Sequence, residues 1–295
     1  MFTRSLNDVT AYYVGFAVLP AGTMTTLQDY PWRVGYWNVG VPPSGPFDFY
    51  SFCLANRLLN NSADAAGLEV TIQGPTLQFY SDTQVVITGA EIDICLDGQP
   101  QNNHQIISIK AGQTLKIGMV KQSGARAYIA FAAGIQCPDY LGSKSTFTLG
   151  QFGGHCGRAL RTGDFLQLTE QTQSVMVQSL NTEIVAAVTD ECILRVMYGP
   201  QGAPDFFTVT DIEKIQQHEW KVHYNSSRTG IRLIGPKPDW ARETGGEAGL
   251  HPSNIHDNAY AFGTVDFTGD MPVVLGPDGP SLGGFVCPFT VISAD

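Results

Sequence analysis

Five stretches of this chain gather hydroxyls, amides and ionisable side chains among glycines and prolines. Residues 223–238 read HYNSSRTGIRLIGPKP. Asn225, Ser226 and Ser227 offer neutral donors and acceptors beside one fixed cation, Arg228. That set can hold a small polar ligand, and it reads equally as a hairpin turn with a solvated arginine. Residues 245–257 read GGEAGLHPSNIHD, with Glu247, His251, Ser253, Asn254, His256 and Asp257. General acid–base work by a histidine or by Asp257 is chemically open there, as is plain turn and capping chemistry. His251 and His256 stand five apart with no third ligand at a recognised spacing, so a zinc site is not expected. Residues 35–48, GYWNVGVPPSGPFD, form a rigid loop that presents Ser44 and Asp48 at a helix N-terminus. There the alternative is a structural turn with Asp48 as the cap.

Two further loops complete the set. Residues 141–158, LGSKSTFTLGQFGGHCGR, hold Lys144, His155 and Arg158 but no phosphate-loop pattern, and His155 reads as a structural residue. Residues 276–288, GPDGPSLGGFVCP, place Ser281 in Gly-Pro-Ser-Leu-Gly. The Gly-x-Ser-x-Gly spacing of a hydrolase elbow is met, but no helix is predicted after it, and the elbow needs a strand-to-helix turn, so no serine hydrolase is expected.

Strands must position these loops. Leu68–Ile72, Gln84–Thr88, Ile92–Leu96, Ile106–Ile109, Thr114–Ile117 and Ala127–Phe131 are short, β-branched and bounded by turn residues such as Asp97-Gly98. Their spacing of about ten residues predicts a sandwich or barrel. Two helices are predicted. Asp48–Asn60 has Asp48 as N-cap, and Asp205–Trp220 has a capping box at Thr210 and Glu213. A polar stretch, Leu168–Asn181, suggests an internal boundary near residue 190. A short echo links Leu77–Gly89 (LQFYSDTQVVITG) with Val265–Gly276 (VDFTGDMPVVLG).

Composition excludes several roles. The net charge is −10 and charged residues are only 15% of 295, against 43% hydrophobic residues. Such a chain is neither disordered nor suited to grip phosphate backbones, so no nucleic-acid partner is expected. No apolar run approaches the ~20 residues that span a bilayer, so no membrane role is expected. The six cysteines form no CxxC pair and read as buried or half-buried thiols of a reducing compartment. The N-terminus lacks signal-peptide order, which together with the cysteines predicts a cytoplasmic protein.

The motifs together resemble one family. TMTTLQDYPWRVGYWNVGVPPSGPFD, YLGSKSTFTLGQFGGHCGRAL, HYNSSRTGIRLIGPKPDW, GGEAGLHPSNIHDNAYAFGTVDFTGD and GPDGPSLGGFVCP, in this order, look like the first carboxyltransferase subdomain of urea carboxylase, often part of urea amidolyase. The wider family includes allophanate hydrolase subunit 2-like proteins and the C-type subunit of 5-oxoprolinase. The resemblance covers about Phe16 to Ile292. It implies a mostly β, cyclophilin-like barrel architecture built of two related β-units with few short helices. Residues 1–15 would be a junction segment, including Thr3–Asn7. Residues 16–190 would be a first β-barrel unit, and 191–295 a second β-unit.

The resemblance also implies a reaction: transfer of a carboxyl group from carboxybiotin to urea, or to guanidine. Biotin would ride on a partner carrier, with ATP and Mg only at a partner biotin carboxylase. A second carboxyltransferase subdomain would be a further partner, and the chain is expected to be one inactive module of a larger machine. The implied catalytic residues are Asn225, Arg228 and His251. Ser44, Asp48, Ser227, Lys237, Ser253 and Asn254 are the implied substrate contacts, and no metal is implied. An accessory role like that of the C-type subunit of 5-oxoprolinase, or a non-catalytic regulatory module, stays open. One departure stands out: Trp32 occupies a position where many relatives carry glycine.

Overall fold

The computed structural model describes residues 14–170, 184–242 and 245–292. The Thr3–Asn7 junction and the polar stretch from residue 171 onward lie outside them. The fold is mostly β, with two compact units. One unit comprises the described residues of Met1–Val34 and Ser44–Glu191; the other comprises Gly35–Pro43 and the described residues of Cys192–Asp295.

The first unit holds β1 (Gly15–Val18), β2 (Met24–Gln28), α1 (Phe49–Leu58), β3 (Gly67–Thr71), β4 (Thr76–Phe79), β5 (Thr83–Gly89), β6 (Ile92–Leu96), β7 (Gln99–Gln101), β8 (Ile107–Ile109), β9 (Thr114–Val120), β10 (Arg126–Phe131) and β11 (Phe165–Gln167). Two antiparallel sheets result, ordered β11-β1-β4-β9-β6-β7 and β2-β3-β10-β5-β8. Both contribute to one core: Phe16, Leu77, Phe79, Leu115 and Ile117 from one, Leu68, Val85, Ile87, Ile129 and Phe131 from the other. Phe16 stacks on Phe131 at 4.8 Å. The expected barrel is not closed. Each sheet keeps its own edge strands, because no described strand is hydrogen-bonded to both. All seven residues of β5 are buried, since it is covered on both faces. Val85 and Ile87 enter the core, while Val86 meets Ala55 of α1 and Leu59, which follows it. The Asp97-Gly98 turn closes the β6–β7 hairpin with φ of 46° and 86°, the paired positive values of a type I′ turn.

The second unit holds β12 (Val196–Tyr198), α2 (Val209–Gln217), β13 (Lys221–Val222), β14 (Gly230–Ile234), β15 (Asn254–Ala259), β16 (Thr264–Thr268), β17 (Met271–Leu275), β18 (Leu282–Phe285) and β19 (Phe289–Val291). Its sheet runs β12-β19-β16-β17-β14-β13, and β15 pairs with β18 as a separate ribbon. Val265 and Phe267 of β16 pack with Phe207 and Ile212 around α2.

Three expectations need correction. The second helix starts at Val209 and is capped by Thr208 with Asp211, two residues earlier than Thr210 and Glu213. Asp211 wins because it is fully buried and accepts three backbone N–H groups, from Thr208 (3.0 Å), Asp239 (2.8 Å) and Trp240 (3.2 Å). A solvent-exposed Glu213 offers no such gain. The echo between Leu77–Gly89 and Val265–Gly276 is not structural: β16 and β17 form a tight hairpin, whereas β4 and β5 belong to different sheets. Cys156 and Cys192 are exposed rather than buried or half-buried.

The cap makes a direct prediction. Asp211→Ala leaves three backbone N–H donors without this buried acceptor and should cost about 2–4 kcal/mol, while Thr210→Ala and Glu213→Ala should each change stability by less than about 0.5 kcal/mol. Thermal unfolding of the three variants checks this; equal losses would reassign the cap.

Candidate functional site

Of the nine expected site residues, Ser44 and Asp48 lie in the first unit and the other seven in the second. In the first unit, the loop before α1 is held from beneath. The Phe47 N–H donates to Glu69 Oε2 at 2.7 Å, and the Asp48 N–H donates to the Tyr128 hydroxyl at 2.7 Å. Arg126 lies over the Phe47 ring at 4.0 Å. Burial pushes the Tyr128 hydroxyl pKa well up, so it stays a neutral partner. The Asp48 carboxylate caps α1, accepting from the Ser51 N–H at 2.9 Å and from the Ser51 hydroxyl. Both its oxygens are thereby engaged. Ser44 is different: it is buried, sits at φ 56°, and its hydroxyl has no hydrogen-bond partner among the described residues.

Trp32 takes φ 84°, a region natural for glycine. Ring packing holds it there, 5.3 Å from Tyr30 and 6.3 Å from Phe49. Gly45 permits this: a Cβ there would fall 2.7 Å from that of Trp32.

Sequence reasoning missed the residue that joins the first two motifs. Asp29 is buried and accepts from the Ser143 hydroxyl (2.6 Å), the Lys144 N–H (2.8 Å) and the Ser145 hydroxyl. Arg33 adds a bond to the Ser145 carbonyl at 2.8 Å and lies over Phe152. The signal was present as an acid directly after β2 and a Ser-Lys-Ser run far downstream. Nothing local says that they meet. His155 does take the structural role expected of it, facing Asp164 at 3.4 Å. Arg158 holds the same carboxylate with two bonds and, as the main cause, lowers its pKa to about 2.

In the second unit the expected residues form two groups. Asn225 and Ser227 are exposed in the turn between β13 and β14. The turn is internally bonded: the Asn225 N–H donates to His223 Nδ1 (3.0 Å), the Ser226 hydroxyl to the His223 carbonyl (2.7 Å), and the Thr229 N–H to Ser227 Oγ (3.2 Å). Arg228 turns inward. Its Nε and Nη2 reach Asp278 at 2.7 and 3.1 Å, and both side chains are almost wholly buried. The Asp278 N–H returns a bond to the Arg228 carbonyl at 3.1 Å. This pair fastens the Asn225–Arg228 turn to the proline-rich loop of residues 276–281.

The second group centres on Asp270, which sequence reasoning did not single out. Asp270 receives Lys237 Nζ at 2.8 Å and Trp240 Nε1 at 3.0 Å, and His251 Nε2 lies 3.3 Å away. The lysine bond is the first cause of its lowered pKa. His251 Nδ1 accepts the Ser253 N–H at 3.1 Å, so in the neutral ring the proton sits on Nε2, facing Asp270. Ser253 is fully buried; its hydroxyl meets His251 Nδ1 at 2.9 Å and receives the Gly269 N–H at 3.2 Å. Asn254 borders this knot, 3.4 Å from the Ser253 hydroxyl. Lys237, His251, Ser253 and Asn254 therefore do come together, around an acid supplied by the turn after β16. Both nitrogens of His251 are occupied, and Lys237 is already paired.

A buried guanidinium without its carboxylate is expensive. Asp278→Ala should lower stability by about 3–5 kcal/mol, whereas Arg228→Met combined with Asp278→Leu should recover most of the loss. Thermal unfolding of the single and double variants checks this, and a mild loss for Asp278→Ala alone would contradict it.

Residues 39–295 match the family described as carboxyltransferase domain, subdomain A and B. The chain is 48% identical over 299 residues to the urea amidolyase of Saccharomyces cerevisiae, covering 99% of this chain and 16% of that protein. It is 30% identical over 280 residues to the C-type subunit of 5-oxoprolinase from Escherichia coli, covering 94% of this chain and 84% of that protein. Among solved structures, the urea amidolyase of K. lactis superposes with a TM-score of 0.90 at 44% identity, over 96% of this chain and 18% of that one. The chain thus spans about a sixth of the amidolyases it matches. It belongs to the carboxyltransferase domain family, subdomain A and B.

Proposed function

We propose that this chain is the carboxyltransferase part of a biotin-dependent urea carboxylase, moving a carboxyl group to a urea nitrogen or to guanidine. The observation that carries the reading is the 48% identity to a urea amidolyase along 99% of the chain. Biotin, when bound on its carrier, supplies the carboxyl group; the residues here supply binding and orientation. Asn225 and Ser227 fit a neutral ureido group: they are exposed, uncharged, and offer an amide and a hydroxyl at a turn with a rigid base. Arg228 acts by holding that turn through Asp278, and His251 by holding Ser253 and Asn254 through Asp270. Ser44, with its unpartnered hydroxyl, is the contact proposed in the first unit. In this reading Asp48 and Lys237 act indirectly, each within its own unit, one as helix cap and one as the partner of Asp270.

ATP and Mg belong, in this proposal, to a partner biotin carboxylase domain. A biotin carrier domain and a second carboxyltransferase subdomain complete the machine, in the cytoplasm, and the isolated chain gives no turnover. The match to a 5-oxoprolinase component supports a second reading, an accessory role in a 5-oxoproline-consuming system.

Reconstitution with the partner domains separates these. The expected result is ATP-dependent carboxylation of urea or guanidine, with Asn225→Ala lowering kcat/KM about 10- to 100-fold (~1.4–2.7 kcal/mol) at unchanged thermal stability. Carboxylation of neither compound, or 5-oxoproline consumption that depends on this chain, would overturn the urea reading. Ligand binding with turnover indifferent to Asn225→Ala would point to a regulatory module.

A further inference from the structure

One buried ionisable group in the second unit has no task in the reading above. Asp266 lies in the middle of β16 and is 4% exposed, and its Oδ1 has no hydrogen-bond partner among the described residues. The register explains its surroundings. Alternation along β16 sends Val265 and Phe267 to the α2 side and Asp266 to the other face. Across the sheet Asp266 pairs with Val273 of β17, which pairs in turn with Arg232 of β14. That face is closed by an apolar cluster of Tyr260, Val273, Leu275 and Cys287.

Tyr260 directly follows β15 and packs the β15–β18 ribbon against the sheet, its ring in one cluster with Val273 and Leu275 of β17. Within the ribbon its hydroxyl donates to the Phe285 carbonyl at 3.0 Å and receives the Phe285 N–H at 2.8 Å, which fixes the ring in place. Its ring fits only because residue 283 is glycine: a Cβ there would fall 2.3 Å from the ring. The Phe267 N–H donates to the Val286 carbonyl at 3.0 Å, tying β16 to the end of β18 beside Asp266.

We propose that the protonation state of Asp266 controls how firmly the β15–β18 ribbon is clasped to this face of the sheet. A neutral carboxyl is tolerated among Val273, Leu275 and a thiol, whereas a carboxylate there lacks the partners that a buried charge requires. The ionisable groups facing it are few. Arg232 of β14 is exposed, two strands away, and favours ionisation; Tyr260 and Cys287, after β15 and β18, are neutral and have their own pKa values raised. β17 and β19 carry no charged residue. Burial is the first cause that pushes the Asp266 carboxyl up to about 7. The sign follows from linkage. An acid whose folded pKa is raised contributes its stability fully below its ordinary value. That contribution is lost as pH rises toward about 7, and is constant above it. On ionising, Asp266 draws in water or the Arg232 guanidinium across Val273, and the Tyr260 clasp loosens.

The full chain tests this without any activity assay. The Asp266 carboxyl carbon, assigned in NMR spectra by its absence in Asp266→Asn, should titrate with a midpoint near 7. Alkylation of Cys287 by N-ethylmaleimide, read by peptide mass, should rise faster than the roughly tenfold per pH unit that thiolate chemistry alone gives below the thiol pKa. That excess should appear below about pH 7, fade above it, and vanish in Asp266→Asn. A carboxyl midpoint near 4 in the wild-type chain would overturn the proposal whether or not the variant folds. An excess that survives in a folded Asp266→Asn would overturn it too.

Discussion

A loop rich in glycine and proline cannot satisfy its own backbone, so its polar groups must find partners elsewhere or stay in water. In this chain buried or half-buried carboxylates supply those partners. Asp29 receives a loop more than a hundred residues away, and Asp211 receives the N–H groups of residues 239 and 240. Asp270 gathers a lysine, an indole and a histidine, and Asp278 takes a guanidinium. Each carboxylate has two oxygens with several lone pairs, so one side chain can join two or three segments. Desolvating such a charge costs several kcal/mol, and only a full set of donors offsets it. The loops are therefore held in one geometry or not at all.

That constraint changes the standing of residues whose types suggested chemistry. Arg228 and His251 look like a catalytic cation and a catalytic base. The fold gives them holding tasks, since the guanidinium is spent on Asp278 and both imidazole nitrogens are engaged. What they hold, the neutral turn of Asn225 and Ser227 and the Ser253–Asn254 corner, offers amides and hydroxyls. A neutral, donor-rich substrate asks for such groups. Asp266 is the exception to the carboxylate rule: it is buried with an oxygen left over, and so it is the acid whose proton matters.

Much of this was legible in the residues. Ile92–Leu96 is a strand with the same ends the pattern gave, Asp48 does cap α1, and the Asp97-Gly98 pair does turn a hairpin. These are local signals, decided within a few residues. The capping box at Thr208 and Asp211 was misread as Thr210 and Glu213 because both spacings satisfy the local rule. What separates them is burial, which residues 239 and 240 determine. The echo between Leu77–Gly89 and Val265–Gly276 failed for the same reason: similar strands can pair with each other or cross to another sheet.

By itself, then, the sequence determined the mostly β class, the turn chemistry, the motif loops and the family they mark. These rest on backbone preferences and residue order, which need no partner. Only the tertiary structure decided that Asp29 meets Ser143 and that Arg228 finds Asp278. It alone brought Asp270 to His251 and left one oxygen of Asp266 without a hydrogen-bond partner among the described residues. Those outcomes depend on strand register and on contacts between segments up to 116 residues apart. A one-residue slip in register would exchange Asp266 for Val265 or Phe267 on that face.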